Sequence, residues 1–121
     1  MLFLCSMFMI LAACSDDEET TKSIEGAWVR THAVTNVPVR LTFFDDGTFL
    51  FEPVVQTDLH SASSGNYTFS GSELTIFDDN DCAGIEGKYV VVVKCDTIEV
   101  ETKDDECTPR GVAMAGRWMR E

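Results

Sequence analysis

From Ile24 onward, apolar positions alternate with polar ones in short runs of Val, Ile, Thr, Phe and Tyr, each closed by turn residues. A period of two marks a strand with one buried face, whereas a helical stripe repeats at about 3.6 residues. The pattern therefore predicts an all-β domain of sequential hairpins. Strands are expected over Gly26 to Thr35, Val39 to Phe44 and Thr48 to Val55. Asp45-Asp46-Gly47 joins the last two, since Gly takes the positive φ of a tight hairpin. Pro53 has no amide donor and marks an edge, a bulge or the strand's limit. A polar loop, Gln56 to Ser64, precedes a strand over Asn66 to Phe69, which turns at Ser70-Gly71-Ser72 into another, Glu73 to Phe77. A second loop, Asp78 to Glu86, carries Asp78, Asp79, Asn80, Asp81 and Cys82. Two more strands, Lys88 to Lys94 and Ile98 to Lys103, flank Asp96-Thr97. Thr108 as N-cap, Pro109 at the first helical position and Gly116 past the end predict one short helix, Pro109 to Ala115, before a last strand, Arg117 to Glu121.

Alternate residues along these strands put Leu41, Phe43, Phe49, Phe51, Tyr67, Phe69, Leu74, Ile76, Tyr89, Val91, Val93, Ile98 and Val100 on one side. Sequential hairpins without a crossover helix favour an up-and-down arrangement, and pairing the last strand with the first removes the exposed edges. The expected fold is a small closed eight-stranded antiparallel β-barrel with one short helix before the last strand. A two-sheet sandwich satisfies the same alternation. Trp28 and Trp118 are expected in the core where first and last strands meet. Phe44, Leu50, Val90 and Val92 fall on the outward side and would form a contact patch if they cluster.

The pattern changes before Ile24. An uncharged apolar run from Leu2 ends in Leu11-Ala12-Ala13-Cys14, too short to span a bilayer but suited to the core of a secretory signal. The tetrapeptide resembles the lipobox of bacterial lipoproteins. That resemblance implies a signal peptide over residues 1–13 and acyl chains on Cys14, which anchor firmly because each buried methylene adds about 0.8 kcal/mol. A buried strand or helix ending in Cys is the alternative. Neither Lys nor Arg precedes Cys14, although a signal usually opens with one, which leaves Met1 as a candidate late start in a longer gene. Ser15, Asp16, Asp17, Glu18 and Glu19 follow directly and resemble the surface-export signal of Bacteroidota lipoproteins. The alternative is a solvated acidic tether. Residues 14–23 show no apolar periodicity and are expected to be a disordered tether, with residues 24–121 as the folded domain.

A chain of 121 residues less such a signal holds one small domain. Its net charge is −12, with 21 acidic against 9 basic residues. Nucleic acid and anionic lipid surfaces are poor partners for that charge. Membrane attachment is therefore expected through the acyl chains, on a monomer at the outer membrane and exposed at the cell surface.

Gly26-Ala27-Trp28, Leu41-Thr42-Phe43 leading into Asp46-Gly47-Thr48-Phe49, and Gly65-Asn66-Tyr67 resemble the lipocalin-like domain of bacterial lipoproteins. Gly87-Lys88-Tyr89, Asp105-Glu106-Cys107-Thr108-Pro109-Arg110 and Gly116-Arg117-Trp118 extend the resemblance to the C-terminus. It implies a small β-barrel and brings no agreed substrate. The family places a Cys just before the Arg-bearing helix. With Cys5 in the signal and Cys14 acylated, this favours a Cys82–Cys107 disulfide, both residues lying in Asp-rich connections that flank the hairpin between them. Cys95 follows the inward alternation and is expected as a buried free thiol.

Other polar residues carry less. Arg30 and His32 share the Trp28 side and are candidate lumen residues with Phe43, Phe51, Tyr67 and Tyr89; mixed exposure near a barrel mouth explains Arg30 and His32 equally well. His60 is expected to be solvated. The Asp78 to Asp81 run lacks the Gly and terminal Glu of an EF-hand and reads as an acidic loop. Arg110 is expected at the barrel end or paired with Asp105. Two histidines, no G-x-S-x-G, no Walker loop and no H-E-x-x-H argue against an enzyme, a cofactor or a metal. The leading expectation is a non-catalytic binding module for a small apolar molecule, a glycan or a protein. An envelope enzyme inhibitor of the lysozyme-inhibitor type, and a structural envelope protein with a fully packed barrel, are the other classes.

Overall fold

A sheet that wraps around its alternating apolar positions buries one side of every strand, and that is the arrangement in the computed structural model, which describes residues 23–121. The expected signal, Cys14, and Ser15, Asp16, Asp17, Glu18 and Glu19 lie outside the described residues. Eight strands run β1 (Gly26–Thr31), β2 (Pro38–Phe43), β3 (Thr48–Pro53), β4 (Ser63–Ser70), β5 (Glu73–Phe77), β6 (Gly87–Val93), β7 (Thr97–Asp104) and β8 (Gly116–Arg120). One helix, α1 (Thr108–Met114), stands between β7 and β8. Each strand pairs antiparallel with its neighbour in sequence and β8 returns to β1, closing the barrel.

The side chains expected inside are inside. Leu41, Phe43, Phe49, Tyr67, Leu74, Ile76, Tyr89, Val91, Ile98 and Val100 are buried, and Phe51, Phe69 and Val93 pack against them. Ile24, Trp28, Val39, Met114 and Trp118 complete this core. At about 25 cal/mol per Å² of apolar surface, burial of the two indoles and the core phenylalanines is the main driving force for closure.

Several boundaries differ from the expected ones. β1 stops at Thr31 rather than Thr35, because Asn36 takes a φ of 63° and its amide donates to the His32 carbonyl, turning the chain. β4 begins at Ser63 instead of Asn66, since Ser63, Ser64 and Gly65 pair with Phe51, Leu50 and Phe49 of β3 without any apolar alternation of their own. The helix cap is Cys107, with no side-chain cap bond, and Thr108 is already helical. Leu50 lies on β3 and Val90 and Val92 on β6, with β4 and β5 between them, so these residues form no single outward patch. Cys95 is half-buried and is not a free thiol, contrary to expectation.

Candidate functional site

An up-and-down barrel gathers its connections at two ends. The β1–β2, β3–β4 and β5–β6 loops and helix α1 share one end; the β2–β3, β4–β5 and β6–β7 turns share the other with the entering chain. The helix end holds a cavity of about 440 Å³, within the range of about 300–1,000 Å³ typical of small-molecule sites. Phe49 and Phe51 of β3, Ile76 of β5 and Met114 of α1 form its apolar walls. Val34, Leu59 and Val112 stand at its rim with 73%, 61% and 39% of their surface exposed. A more open depression at the opposite end is bordered by Ser23, Ile24, Asp45, Tyr67 and Phe69.

Both histidines of the chain meet at the cavity. Their ring centroids are 4.5 Å apart, and His60 lies edge-on to Phe51 at 6.1 Å. His60 is half-buried with Nε2 2.7 Å from Thr35 Oγ1, so the expectation of a solvated side chain is corrected. His32 Nδ1 accepts from the Val34 and Thr35 amides at 3.2 and 3.3 Å, which places the proton of the neutral ring on Nε2. Burial, then the charges of His60 and Arg30, push the His32 pKa below its ordinary value.

Beneath the cavity lies a closed ionic network. Arg110 Nε and Nη2 donate to the two Asp105 carboxylate oxygens at 2.7 and 2.8 Å, a bidentate pair whose side chains are 5% and 0% exposed. Nη2 also donates to the Ile85 carbonyl at 2.8 Å, and Nη1 to Asp79 Oδ2 at 3.4 Å. Asp105 accepts further from the Tyr89 hydroxyl and from the Cys107 amide at 2.9 Å. Burial by itself raises the Asp105 pKa, but Arg110, Tyr89 and the Cys107 amide outweigh it and hold the carboxyl below its ordinary value. Burial and the Asp105 carboxylate together push the Tyr89 hydroxyl upward, so it remains a donor. Asp79 accepts from the Ser63 hydroxyl at 2.8 Å and the Asp81 amide at 2.9 Å, and is 4% exposed. Among the described residues no buried side-chain nitrogen or oxygen lacks a partner.

Two local features make room for this network. Gly87 lies against it so closely that a Cβ would sit 2.7 Å from Asp105 Cγ and 2.9 Å from Arg110 Nη2. The Cys82–Cys107 disulfide joins the β5–β6 loop to the start of α1, fixing the loop that carries Asp79 against the helix that carries Arg110. The acidic run expected as a plain loop is thus partly structural. Asp78 Oδ2 accepts from Asn66, and Asn80 Oδ1 accepts from the Ser64 amide.

Of the six candidate lumen residues, His32 and Phe51 line the cavity. Phe43, Tyr67, Tyr89 and Arg30 do not. Phe43 is packed in the core with Tyr67 edge-on at 4.9 Å, and the Tyr67 hydroxyl donates to the Phe44 carbonyl at the far end. Tyr89 is consumed by Asp105, and Arg30 by the Ala115 carbonyl and the Trp118 ring. Sequence reasoning anticipated Arg110 at the barrel end and its pairing with Asp105, but did not place His60, Ser63 and Asp79 at the cavity. The only sign of Asp79 and Ser63 would have been a polar residue destined for burial, which strand periodicity does not reveal.

Comparison with known protein families, curated proteins and solved structures found no match.

Proposed function

We propose that this chain is a lipid-anchored envelope lipoprotein with a lipocalin-like barrel, which binds a small, largely apolar molecule without transforming it. The observation that carries the binding reading is the cavity of about 440 Å³ at the helix end, apolar in its walls and furnished with a few converging polar groups. A purely structural barrel would have no use for this volume, since unfilled apolar space costs packing energy. The described chain enters beside the β2–β3 turn, at the end opposite the cavity, because Ser23 and Ile24 border Asp45 and Gly47. An anchor ahead of Ser23 would join the barrel at the end opposite the cavity mouth. The acids after Cys14 support export to the outer surface.

Native mass spectrometry of the full chain extracted from membranes tests the reading. We expect acyl mass on Cys14 and a co-purified small molecule that is lost in Ala113→Trp, a substitution that fills the cavity. Protein without acyl mass ends the anchoring assignment, and a ligand retained by the Trp variant ends the cavity assignment. Surface proteolysis of intact cells carrying Ala at Asp16, Asp17, Glu18 and Glu19 tests export; unchanged surface exposure would refute it.

A second reading, an inhibitor of a basic envelope enzyme, draws on the β3–β4 connection. Val55 and Leu59 there are 66% and 61% exposed on a strongly acidic protein. Pull-down of a basic hydrolase such as lysozyme, lost in Leu59→Asp, would select it.

A further inference from the structure

Resting on the cavity reading above, we infer that the site selects by charge: it accepts neutral, ring-bearing apolar molecules and rejects their anionic counterparts. Both arginines nearest the cavity have donors engaged by other groups. Arg110 spends its donors on Asp105, Asp79 and the Ile85 carbonyl, with a single Nη1 hydrogen uncommitted. Arg30 donates to the Ala115 carbonyl and lies over Trp118, away from the cavity lining. His32 is held as a neutral ring by the two amides that donate to its Nδ1. No guanidinium is left over to receive a carboxylate, sulfonate or phosphate.

The remaining charge at the site is negative. Asp79 and Asp81 line the cavity, and Asp105 already matches Arg110. An anion entering here would surrender its hydration without a counter-charge and would face the buried Asp79 carboxylate and the exposed Asp81 beside it. Neutral ring systems meet the opposite situation. Phe49, Phe51 and His60 offer aromatic faces and edges, and Ile76 and Met114 offer aliphatic cover. The His32 Nε2 proton and the spare Arg110 hydrogen suit one neutral acceptor, a carbonyl or hydroxyl.

A matched pair of fluorescent probes separates this inference from the cavity reading itself. N-phenyl-1-naphthylamine and 8-anilinonaphthalene-1-sulfonate share one ring skeleton and differ by the sulfonate. Titrated into the full chain at neutral pH, the neutral probe is expected to bind, with its signal abolished in Ala113→Trp. The sulfonate is expected to bind at least tenfold more weakly. Asp81→Asn should narrow that ratio severalfold, because Asp81 contributes charge at an exposed position while its backbone N–H still donates to Asp79 Oδ1. Equal affinities for the two probes in the parent protein would overturn charge selection while leaving the cavity reading in place. Absence of binding by both would overturn the cavity reading, and this inference with it.

Discussion

Arg120 lays its guanidinium over the indole of Trp28, 4.1 Å from the ring centroid, and so ties the last strand to the first. The same contact recurs in reverse, with Arg30 over Trp118 at 5.1 Å. Gly26-Ala27-Trp28-Val29-Arg30 and Gly116-Arg117-Trp118-Met119-Arg120 are two copies of a Gly-x-Trp-x-Arg pattern set antiparallel across the seam. Each Trp Nε1 donates at 2.9 Å to the carbonyl four residues before it, Ile24 in one copy and Met114 in the other. Each Gly also faces the other copy's Arg. A Cβ on Gly26 would meet Arg120 Nη1 at 2.9 Å, and one on Gly116 would collide with Arg30. The β1–β8 ladder spans two residue pairs, Trp28 with Arg120 and Val29 with Met119, so side chains carry much of the closure.

Loss of either clasp should therefore open the seam. Arg120→Ala is expected to destabilise by about 0.5–1 kcal/mol, the scale of a cation–π contact made by an exposed guanidinium. Gly116→Ala should cost more, since it combines the collision with Arg30 with a φ of 131° that L side chains rarely adopt. Arg30→Ala in the Gly116→Ala background removes the collision and leaves the backbone strain, so the pair should be non-additive. Urea denaturation of the single and double variants measures the coupling; strict additivity would show that the clasp is not a contact of consequence.

Arg110 and Asp105 are a buried pair, and breaking one partner leaves the other charged and unmatched. Asp105→Ala is expected to cost about 3–5 kcal/mol. Tyr89→Phe removes one donor to a carboxylate and should cost about 1.5–3 kcal/mol. Thermal melts read both, and a loss under about 1 kcal/mol in Asp105→Ala would contradict the buried-pair argument.

Acid should weaken the fold in two stages. The His32 pKa lies below 6.5 in the folded protein, so between that lowered value and 6.5 the unfolded chain binds the proton more readily. Stability is then full above 6.5 and declines as pH falls through the folded value. The Asp105 pKa lies below 3.8 when folded, and its contribution is present above 3.8 and lost as pH falls through the lowered value. Melting temperatures from pH 8 down to pH 3 should show both declines. His32→Asn retains an acceptor for the Val34 and Thr35 amides and should abolish the upper decline alone. A profile unaltered by that substitution would assign the step elsewhere.

Reduction should act on stability and on the cavity together. The disulfide closes a separation of 25 residues, for which the chain-entropy relation gives about 3.5 kcal/mol. Cys82 also lines the cavity, so Cys107→Ser should lower affinity for a neutral apolar probe as well as the melting temperature. Calorimetry and probe titration on the variant check the two effects; an unchanged melting temperature would remove the disulfide from the account.

Strand number, inward side chains, the hairpin turns and the helix position are all written in local pattern, because a period of two and a Gly-rich turn state their requirements within a few residues. That is why Leu74 and Ile76, or Asp46-Gly47, could be placed without coordinates. The sequence also carries the two Gly-x-Trp-x-Arg segments, but their reciprocal packing depends on an antiparallel seam between residues some ninety positions apart. The Arg110–Asp105 pair, five residues apart, is legible locally, but only the closed barrel brings His32 beside His60 and seats Asp79 on Ser63. His32, His60 and Asp79 sit in loops, and Ser63 opens β4 where apolar alternation is absent, so no periodicity declares which of these side chains will be buried. Their burial is decided by what the rest of the barrel leaves space for, and hence by tertiary structure alone.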